Sequence, residues 1–347
     1  MHKRKMLVLA EGLFTDPHGK TAHGVVRYIP EQVCAVIDST LAGKTCEEVS
    51  GYGGKIPIIS SIEEGLKFKP DTLVIGIALV GGVLPIKWKK FIIKAIKYKL
   101  NVINGLHTFL SDDKDIMKYA KRYDVEVMDL RKPPVTYHVA SGKWKEIKSK
   151  VILTVGTDCA IGKKTAIFEI YNVFKKMGKR ADFIPTGQTG MLIAGKGVAI
   201  DAVKSDFVAG VMELEVVKSA KKYDYIFVEG QGALTNQGYS GVTMGLIHGV
   251  MPDTMILCHE LGRKYDHFGD PIRDLKSIIK LHEMVVGFYK KSKVICMNLI
   301  TNKVSEEEAL KEIKKIEKKL KMPVDDTVRF GAEKLANAVL KYFEKNE

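Results

Sequence analysis

The sequence predicts an α/β protein of two domains, each built on a mostly parallel sheet. Three observations carry this expectation. Short apolar runs rich in valine and isoleucine alternate with amphipathic, lysine-bearing stretches along the chain. One such run, Val151–Gly156, opens directly into a glycine- and lysine-containing loop and then a helical pattern. Several other runs stop at polar or glycine residues, where a parallel sheet presents ligand-binding groups.

A chain of 347 residues suggests about two domains and can bury sizeable cores. Its 46% hydrophobic and 28% charged residues are ordinary for a globular protein. No apolar run reaches the length of a bilayer span. The basic start, Met1–Lys5, precedes an apolar run, Met6–Ala10, that is too short for a signal peptide and reads as a first strand. A cytoplasmic protein with no membrane partner is expected.

The five cysteines, Cys34, Cys46, Cys159, Cys258 and Cys296, are odd in number and scattered, with no C-x-x-C pair. Neither a disulfide framework nor a zinc site is indicated. Cys34, Cys258 and Cys296 lie in apolar runs and are expected to be buried. Cys159 sits in the glycine–lysine loop and reads either as an activated thiol or as a structural filler.

Net charge is +14, much of it lysine on predicted helix faces. No aromatic platform or recognition helix accompanies it, so nucleic acid is not an expected partner and a polyanionic small ligand fits better. A homo-oligomer is left open.

Along the chain, Met6–Ala10 is a strand closed by Glu11-Gly12, followed by a loop through Asp16–Gly24. Val33–Ile37 is a second strand ending at Asp38, where a dinucleotide-binding fold would hold a ribose. G-x-G-x-x-G is absent after the first strand, and a helix cap is the other reading of Asp38. Ile56–Ile59 followed by Ser60-Ser-Ile-Glu-Glu64 reads as strand and capping box. Thr72–Ala78, Asn101–Asn104 and Val125–Asp129 are further strands, with an amphipathic helix over Ile86–Leu100. Lys132-Pro-Pro-Val135 punctuates the chain, and a boundary near residue 145 divides a first domain, 1–145, from a second, 146–347.

In the second half, the helix after the loop runs to Met177 and stops at Gly178. A strand at Asp182–Pro185 leads into Thr186-Gly-Gln188-Thr189-Gly190, read as a polar glycine loop. A helix follows over about 207–220. Tyr225–Val228 ends at Glu229, Thr254–Cys258 at His259, and Val294–Asn298 is a last strand before a closing helix over Gly331–Lys345.

The chemistry centres on Gly156-Thr157-Asp158-Cys-Ala-Ile-Gly162-Lys163-Lys164-Thr165. Glycines let backbone N–H groups converge, a helix N-terminus adds partial positive charge, and lysine adds a full one. The standard phosphate loop is G-x-x-x-x-G-K-[ST]. Here five residues separate Gly156 from Gly162, and Lys164 intervenes before Thr165.

Glu229 stands where phosphate-loop proteins carry a second acidic residue. It would hold Mg²⁺ with Thr165 if Mg–ATP is used, position a water or amine, or serve as a cap. Asp158 is a catalytic candidate or a loop brace. His259 is the best candidate for a general base, with a structural histidine as the other reading. Arg263 is expected to clamp a substrate carboxylate. Ser240–Thr243 and His248-Gly249 are candidates for the same rim, and His107 and His23 are weaker candidates.

Taken together, the loop at Gly156–Thr165, Thr186–Gly190, Ser205-Asp-Phe-Val-Ala-Gly210, Val228-Glu-Gly-Gln-Gly232, Tyr239-Ser-Gly-Val-Thr243 and Leu257-Cys-His-Glu-Leu-Gly-Arg263 resemble one family. Lys20–Arg27 resembles its N-terminal block. It is the D-glutamate N-acetyltransferase-like family, formerly a domain of unknown function. The resemblance implies a Rossmann-like N-terminal domain and a phosphate-loop NTPase-like C-terminal domain. It also implies acetyl transfer from acetyl-CoA to the amino group of a small acidic amino acid such as D-glutamate. CoA phosphates would then sit on the loop, with His259 or Glu229 as base. Backbone N–H groups of Thr186–Gly190 or Gly230–Gly232 would stabilise the oxyanion, and Gln188, Thr189, Arg263 and Arg27 would bind substrate. The loop and Val228-Glu-Gly also look like dethiobiotin synthetase, an ATP- and Mg²⁺-dependent ligase acting on a small carboxylate. A nucleotide-binding module without turnover is the third reading.

Overall fold

Strands and helices alternate into two six-stranded sheets in which every paired strand is parallel. The computed structural model describes residues 4–133 and 136–346. Met1–Lys3 of the basic start and the Pro134-Val135 part of the punctuation lie outside the described residues. Two compact units result: the first is Met1–Pro133 with Gln188–Ala202, and the second is Pro134–Gly187 with Val203–Glu347. A stretch from the middle of the chain thus belongs to the first unit, an arrangement that a single cut near residue 145 does not express. Among the described residues, no helix is long and apolar enough to cross a membrane.

The first unit runs β1 (Met6–Leu9), α1 (Lys20–Tyr28), β2 (Val33–Ile37), α2 (Cys46–Ser50), β3 (Ile58–Ile59), α3 (Ile62–Gly65), β4 (Thr72–Ile75), α4 (Trp88–Lys97), β5 (Asn101–Asn104), α5 (Lys114–Tyr123) and β6 (Val127–Asp129). Its sheet order, β3-β2-β1-β4-β5-β6, is that of a Rossmann-like domain. Both faces are covered, so the strands read as unbroken apolar runs. Leu7, Leu9, Leu73 and Ile75 face one core, while Met6, Val8 and Val74 face the other.

The expected capping box is only half formed: the Ser61 hydroxyl caps α3 by accepting from Glu64 N, while the Glu64 carboxylate accepts from Ser60 N, one residue before the N-cap. The full reciprocal box stands instead at Thr45 and Glu48 on α2. Helix α1 occupies a stretch whose composition reads largely as loop. It forms despite Gly24 because Ala22, Val25 and Val26 bury one face, and packing outweighs the glycine's poor propensity.

The second unit runs β7 (Lys150–Gly156), α6 (Lys163–Lys176) and β8 (Ala181–Ile184). After α7 (Gln188–Ala194), which belongs to the first unit, come α8 (Ser205–Ala220), β9 (Tyr225–Val228), α9 (Ser240–Val250), β10 (Thr254–Glu260), α10 (Leu275–Gly287), β11 (Lys293–Ile300), α11 (Glu306–Leu320), β12 (Val324–Asp325) and α12 (Glu333–Glu344). The order β12-β11-β10-β7-β9-β8 puts β7 between β9 and β10. Connections leave β7 to one side and reach β10 on the other, so the carboxyl end of β7 is the switch point where open α/β sheets bind ligands.

Helix α6 is anchored by aromatic rings: Phe174 meets Phe227 at 4.8 Å and Phe168 meets Phe183 at 5.1 Å between centroids. Ser240–Thr243 and His248-Gly249, expected at a rim, lie on α9. Gly249 lies in the contact with α8, where an added Cβ would stand 2.3 Å from the Ala209 carbonyl oxygen.

Candidate active site

Strand β7 delivers the loop. Gly156 pairs with Cys258 of β10, and Thr157 N donates to the Cys258 carbonyl at 3.2 Å. A side chain at Gly156 would press on Ile161 at 2.7 Å and on Lys163 Nζ at 3.3 Å. The loop then doubles back through two left-handed residues, Ala160 (φ 53°) and Gly162 (φ 80°). Helix α6 starts at Lys163, so its unpaired first-turn N–H groups face the loop. Lys163 folds inward, and its Nζ donates to the Asp158 carbonyl oxygen at 2.6 Å. Burial pushes the Lys163 pKa down, against the opposing pull of Cys159, Cys258, Asp158 and Glu229. The product is a small cationic cradle at the carboxyl end of the sheet.

The loop is braced from outside. Asp158 is fully buried, its carboxylate accepting from Arg263 and, at 2.8 Å, from Asn236 Nδ2. Arg263 also donates to Glu260 at 3.1 Å, and Lys303 pairs with the same carboxylate. Burial raises the Glu260 pKa, but Lys303 and Arg263 outweigh it and hold the carboxyl below its ordinary value. Asp158, read as a catalytic candidate or a brace, is placed as a brace. Arg263, expected to clamp substrate, has its guanidinium committed to two carboxylates of its own chain. Asn236 was missed, because nothing in a spacing pattern ties it to Asp158.

Glu229 leaves β9 beside the loop. Its Oε2 accepts from Thr186 N at 3.0 Å and Gly187 N at 3.3 Å, while Gly230 N donates to Thr154 Oγ1 at 3.0 Å. The N–H groups of Thr186, Gly187 and Gly230, expected to meet an oxyanion, are therefore already engaged.

On the other side of β7, His259 Nδ1 lies 2.8 Å from Thr157 Oγ1. Burial pushes the imidazole down to about 4, with Glu260 opposing and Arg263 assisting. His259 is thus neutral at neutral pH.

A second buried histidine, His282 on α10, has Nδ1 2.8 Å from the Ile278 carbonyl and is also pushed by burial to about 4. Both folded values lie below the unfolded value of about 6.5, so the unfolded chain binds protons first as pH falls. Stability is full above about pH 6.5 and is lost as pH falls toward about 4, by on the order of 3 kcal/mol per histidine. Urea unfolding at about pH 7 and about pH 4.5 measures this. His282→Leu is expected to flatten the dependence, and an unchanged slope in that variant contradicts the assignment.

The remaining expected residues lie in the first unit. Gln188 and Thr189 do not form a glycine loop; they open α7, which packs on α1. Gln188 Nε2 donates to Thr21 Oγ1 and to the Ile77 carbonyl at 2.9 Å, and Thr189 Oγ1 is 3.1 Å from Thr21 Oγ1. Thr21 follows β1 and Ile77 follows β4, so Gln188 fills the position where a Rossmann-like sheet would admit a ligand. A Cβ on Gly105 would meet Gln188 at 2.7 Å, which shows how closely that plug is held.

Arg27 stacks over Tyr28 and Tyr52, 5.2 and 5.8 Å from the ring centroids. His23 bonds Tyr52 and the Phe14 carbonyl through its two ring nitrogens, a structural role. His107 Nε2 is 2.6 Å from Arg131, which pairs with Asp201. Asp38 accepts from Phe14 N at 3.0 Å and Thr40 N at 3.1 Å, so it acts as a turn-forming cap. None of the five cysteines is in a disulfide; Cys258 and Cys296 are buried as expected, while Cys34 is half-buried.

Two domain models match the chain. One, "Domain of unknown function (DUF1611_C) P-loop domain", covers residues 138–336, and the other, "Domain of unknown function (DUF1611_N) Rossmann-like domain", covers 39–133. A protein from Tritonibacter scottomollicae named D-glutamate N-acetyltransferase is 35% identical over 283 residues, 80% of this chain and 84% of that one. One of the same name from a Pseudoalteromonas species is 38% identical over 205 residues, 59% of this chain and 61% of that one. The crystal structure of a DUF1611 family protein from Anabaena variabilis superposes with a TM-score of 0.93 at 36% identity, covering 97% of this chain and 99% of the other.

Proposed function

Because the chain belongs to the DUF1611 family, we propose that it is an N-acetyltransferase moving the acetyl group of acetyl-CoA to the amino group of a small acidic amino acid such as D-glutamate. The names of two relatives support the reaction class. The observation on this chain that carries the reading is the cradle formed by Gly156–Thr165, with Lys163 inside it and Lys164 on the first turn of α6. CoA bears a diphosphate and a 3′-phosphate, both suited to such a cradle and neither requiring hydrolysis.

In the proposed reaction the substrate amine attacks the thioester carbonyl, a tetrahedral oxyanion forms, and CoA leaves as the thiol. His259 takes the proton from the amine; this role requires the tautomer in which Nδ1–H donates to Thr157 Oγ1, 2.8 Å away, so that Nε2 carries the accepting lone pair. Glu229, fixed by two backbone N–H groups, faces the same loop as a carboxylate able to hold the substrate ammonium before attack.

The test is acetyl transfer measured with acetyl-CoA and D-glutamate. His259→Gln and Glu229→Gln are each expected to lower kcat by about 10²-fold or more. Since His259 works as the neutral base, activity is lost as pH falls through its value, so the acidic limb of kcat/KM belongs near about 4 rather than near the ordinary histidine value. Wild-type rates in both variants would remove the assignment. Glu229 at the end of β9 is also what favours the competing reading, an ATP- and Mg²⁺-dependent kinase or ligase, whose signature is Mg²⁺-dependent ADP release.

A further inference from the structure

Phosphate loops that hydrolyse nucleotides normally hold Mg²⁺ through the hydroxyl of the residue directly after the loop lysine. In this chain that residue is Lys164. Helix α6 is continuous from Lys163 to Lys176, so no irregularity brings Thr165 back into that place. Each residue of an α-helix is turned about 100° from the last, which aims Thr165 away from the direction that residue 164 takes.

The carboxylates that would complete a metal site are also committed. Both oxygens of Asp158 accept from Arg263 and Asn236. Glu229 Oε2 accepts from two backbone N–H groups. Among the described residues, no group of three or more histidine, cysteine, aspartate or glutamate side chains is placed to hold a metal ion. Register, helix geometry and donor commitment thus point the same way: the residue that supplies the metal-holding hydroxyl in such loops is here a lysine, Lys164.

We propose that this loop binds phosphoryl groups without a divalent cation, the Lys164 ammonium supplying the charge that Mg²⁺ supplies in nucleotide-hydrolysing loops, so that the site selects metal-free diphosphates and phosphomonoesters over Mg–nucleotide complexes. The inference rests on the reading of Gly156–Thr165 as the CoA phosphate site. Mg²⁺ at the same position would meet Lys163 and Lys164 together, a like-charge arrangement that disfavours it.

The experiment is calorimetric titration of the full chain with coenzyme A and, separately, with inorganic pyrophosphate. Each is run in EDTA and in millimolar Mg²⁺, with folding of every variant checked by circular dichroism. The wild-type dissociation constant for coenzyme A is expected to agree within about twofold between the two conditions. Lys164→Met is expected to weaken binding in EDTA by about tenfold or more. Lys164→Thr is expected to weaken it similarly in EDTA and to regain affinity when Mg²⁺ is added, because it restores the missing hydroxyl. Wild-type binding that strengthens tenfold or more with Mg²⁺, or folded Lys164 variants that bind normally in EDTA, would overturn the inference while leaving the phosphate site intact. Absence of binding of either probe under both conditions would instead overturn the phosphate-site reading and the inference with it.

Discussion

Replacing Arg263 with alanine is expected to destabilise the second unit by about 3 kcal/mol or more and to weaken the proposed coenzyme A binding by at least tenfold. The cause is what is left behind. Asp158 is 0% exposed, and its partners are Arg263 and Asn236. Removing the guanidinium leaves a buried carboxylate with one neutral donor, and breaking one side of a buried pair is far costlier than replacing both sides. Asp158 is part of the loop, and its carbonyl holds Lys163. Relaxation at Asp158 therefore reaches the lysine that would meet phosphate.

Lysine at position 263 should not rescue, since Arg263 spans two carboxylates and an ammonium cannot reproduce that fork. The double variant Asp158→Asn/Arg263→Ala should recover most of the lost stability, because the introduced amide carries no charge and can keep the bond to Asn236. A double-mutant cycle in urea measures the coupling. Additive effects, with a coupling of less than about 1 kcal/mol, would mean that Arg263 does not brace the loop.

The fold was readable because parallel strands covered on both faces leave continuous apolar runs, as at Thr72–Ile75, Tyr225–Val228 and Val294–Asn298. The loop at Gly156–Thr165 was readable because its parts are contiguous. Its bracing was not: Arg263 and Asn236 lie 105 and 78 residues from Asp158 in sequence, and only the sheet order brings β7 and β10 together. Thr186–Gly190 misled for another reason. Two glycines and two threonines argue for a loop by composition, yet burial of Gln188, Thr189 and Leu192 against the first unit's core makes a helix there favourable. The pairing of Arg263 with Asp158 and Glu260 was equally out of reach, because an arginine after a strand end looks available until its partners are seen.

Gly230→Ala tests how tightly that sheet end positions the site, and its effect should be as large as that of Arg263→Ala. Strands β7 and β9 pair up to Leu153 and Val228. Two residues further on, the chain passes so close to β7 that a Cβ at Gly230 would lie 1.8 Å from the Thr154 carbonyl oxygen and 2.8 Å from its carbon. Both neighbours are backbone atoms of a central strand, so neither can swing aside as a flexible side chain would.

The methyl group must displace the exit of β9 by roughly 1 Å or more, breaking the 3.0 Å bond from Gly230 N to Thr154 Oγ1. Glu229 is the adjoining residue, and its hold on Thr186 and Gly187 moves with it. The expected cost is about 3 kcal/mol of stability. In the protein that remains folded, the proposed acetyl transfer should fall about 10²-fold, the usual effect of misplacing a reacting group by an ångström.

Gly241→Ala is the internal comparison. It also adds one methyl group in the second unit, but nothing lies within 4 Å of the added Cβ, and its place on α9 favours alanine. Its stability should be unchanged or higher by up to about 1 kcal/mol. If thermal unfolding places the two alanine variants at the same midpoint, and both transfer acetyl groups at the wild-type rate, then the close approach of β9 to Thr154 does not set the position of Glu229.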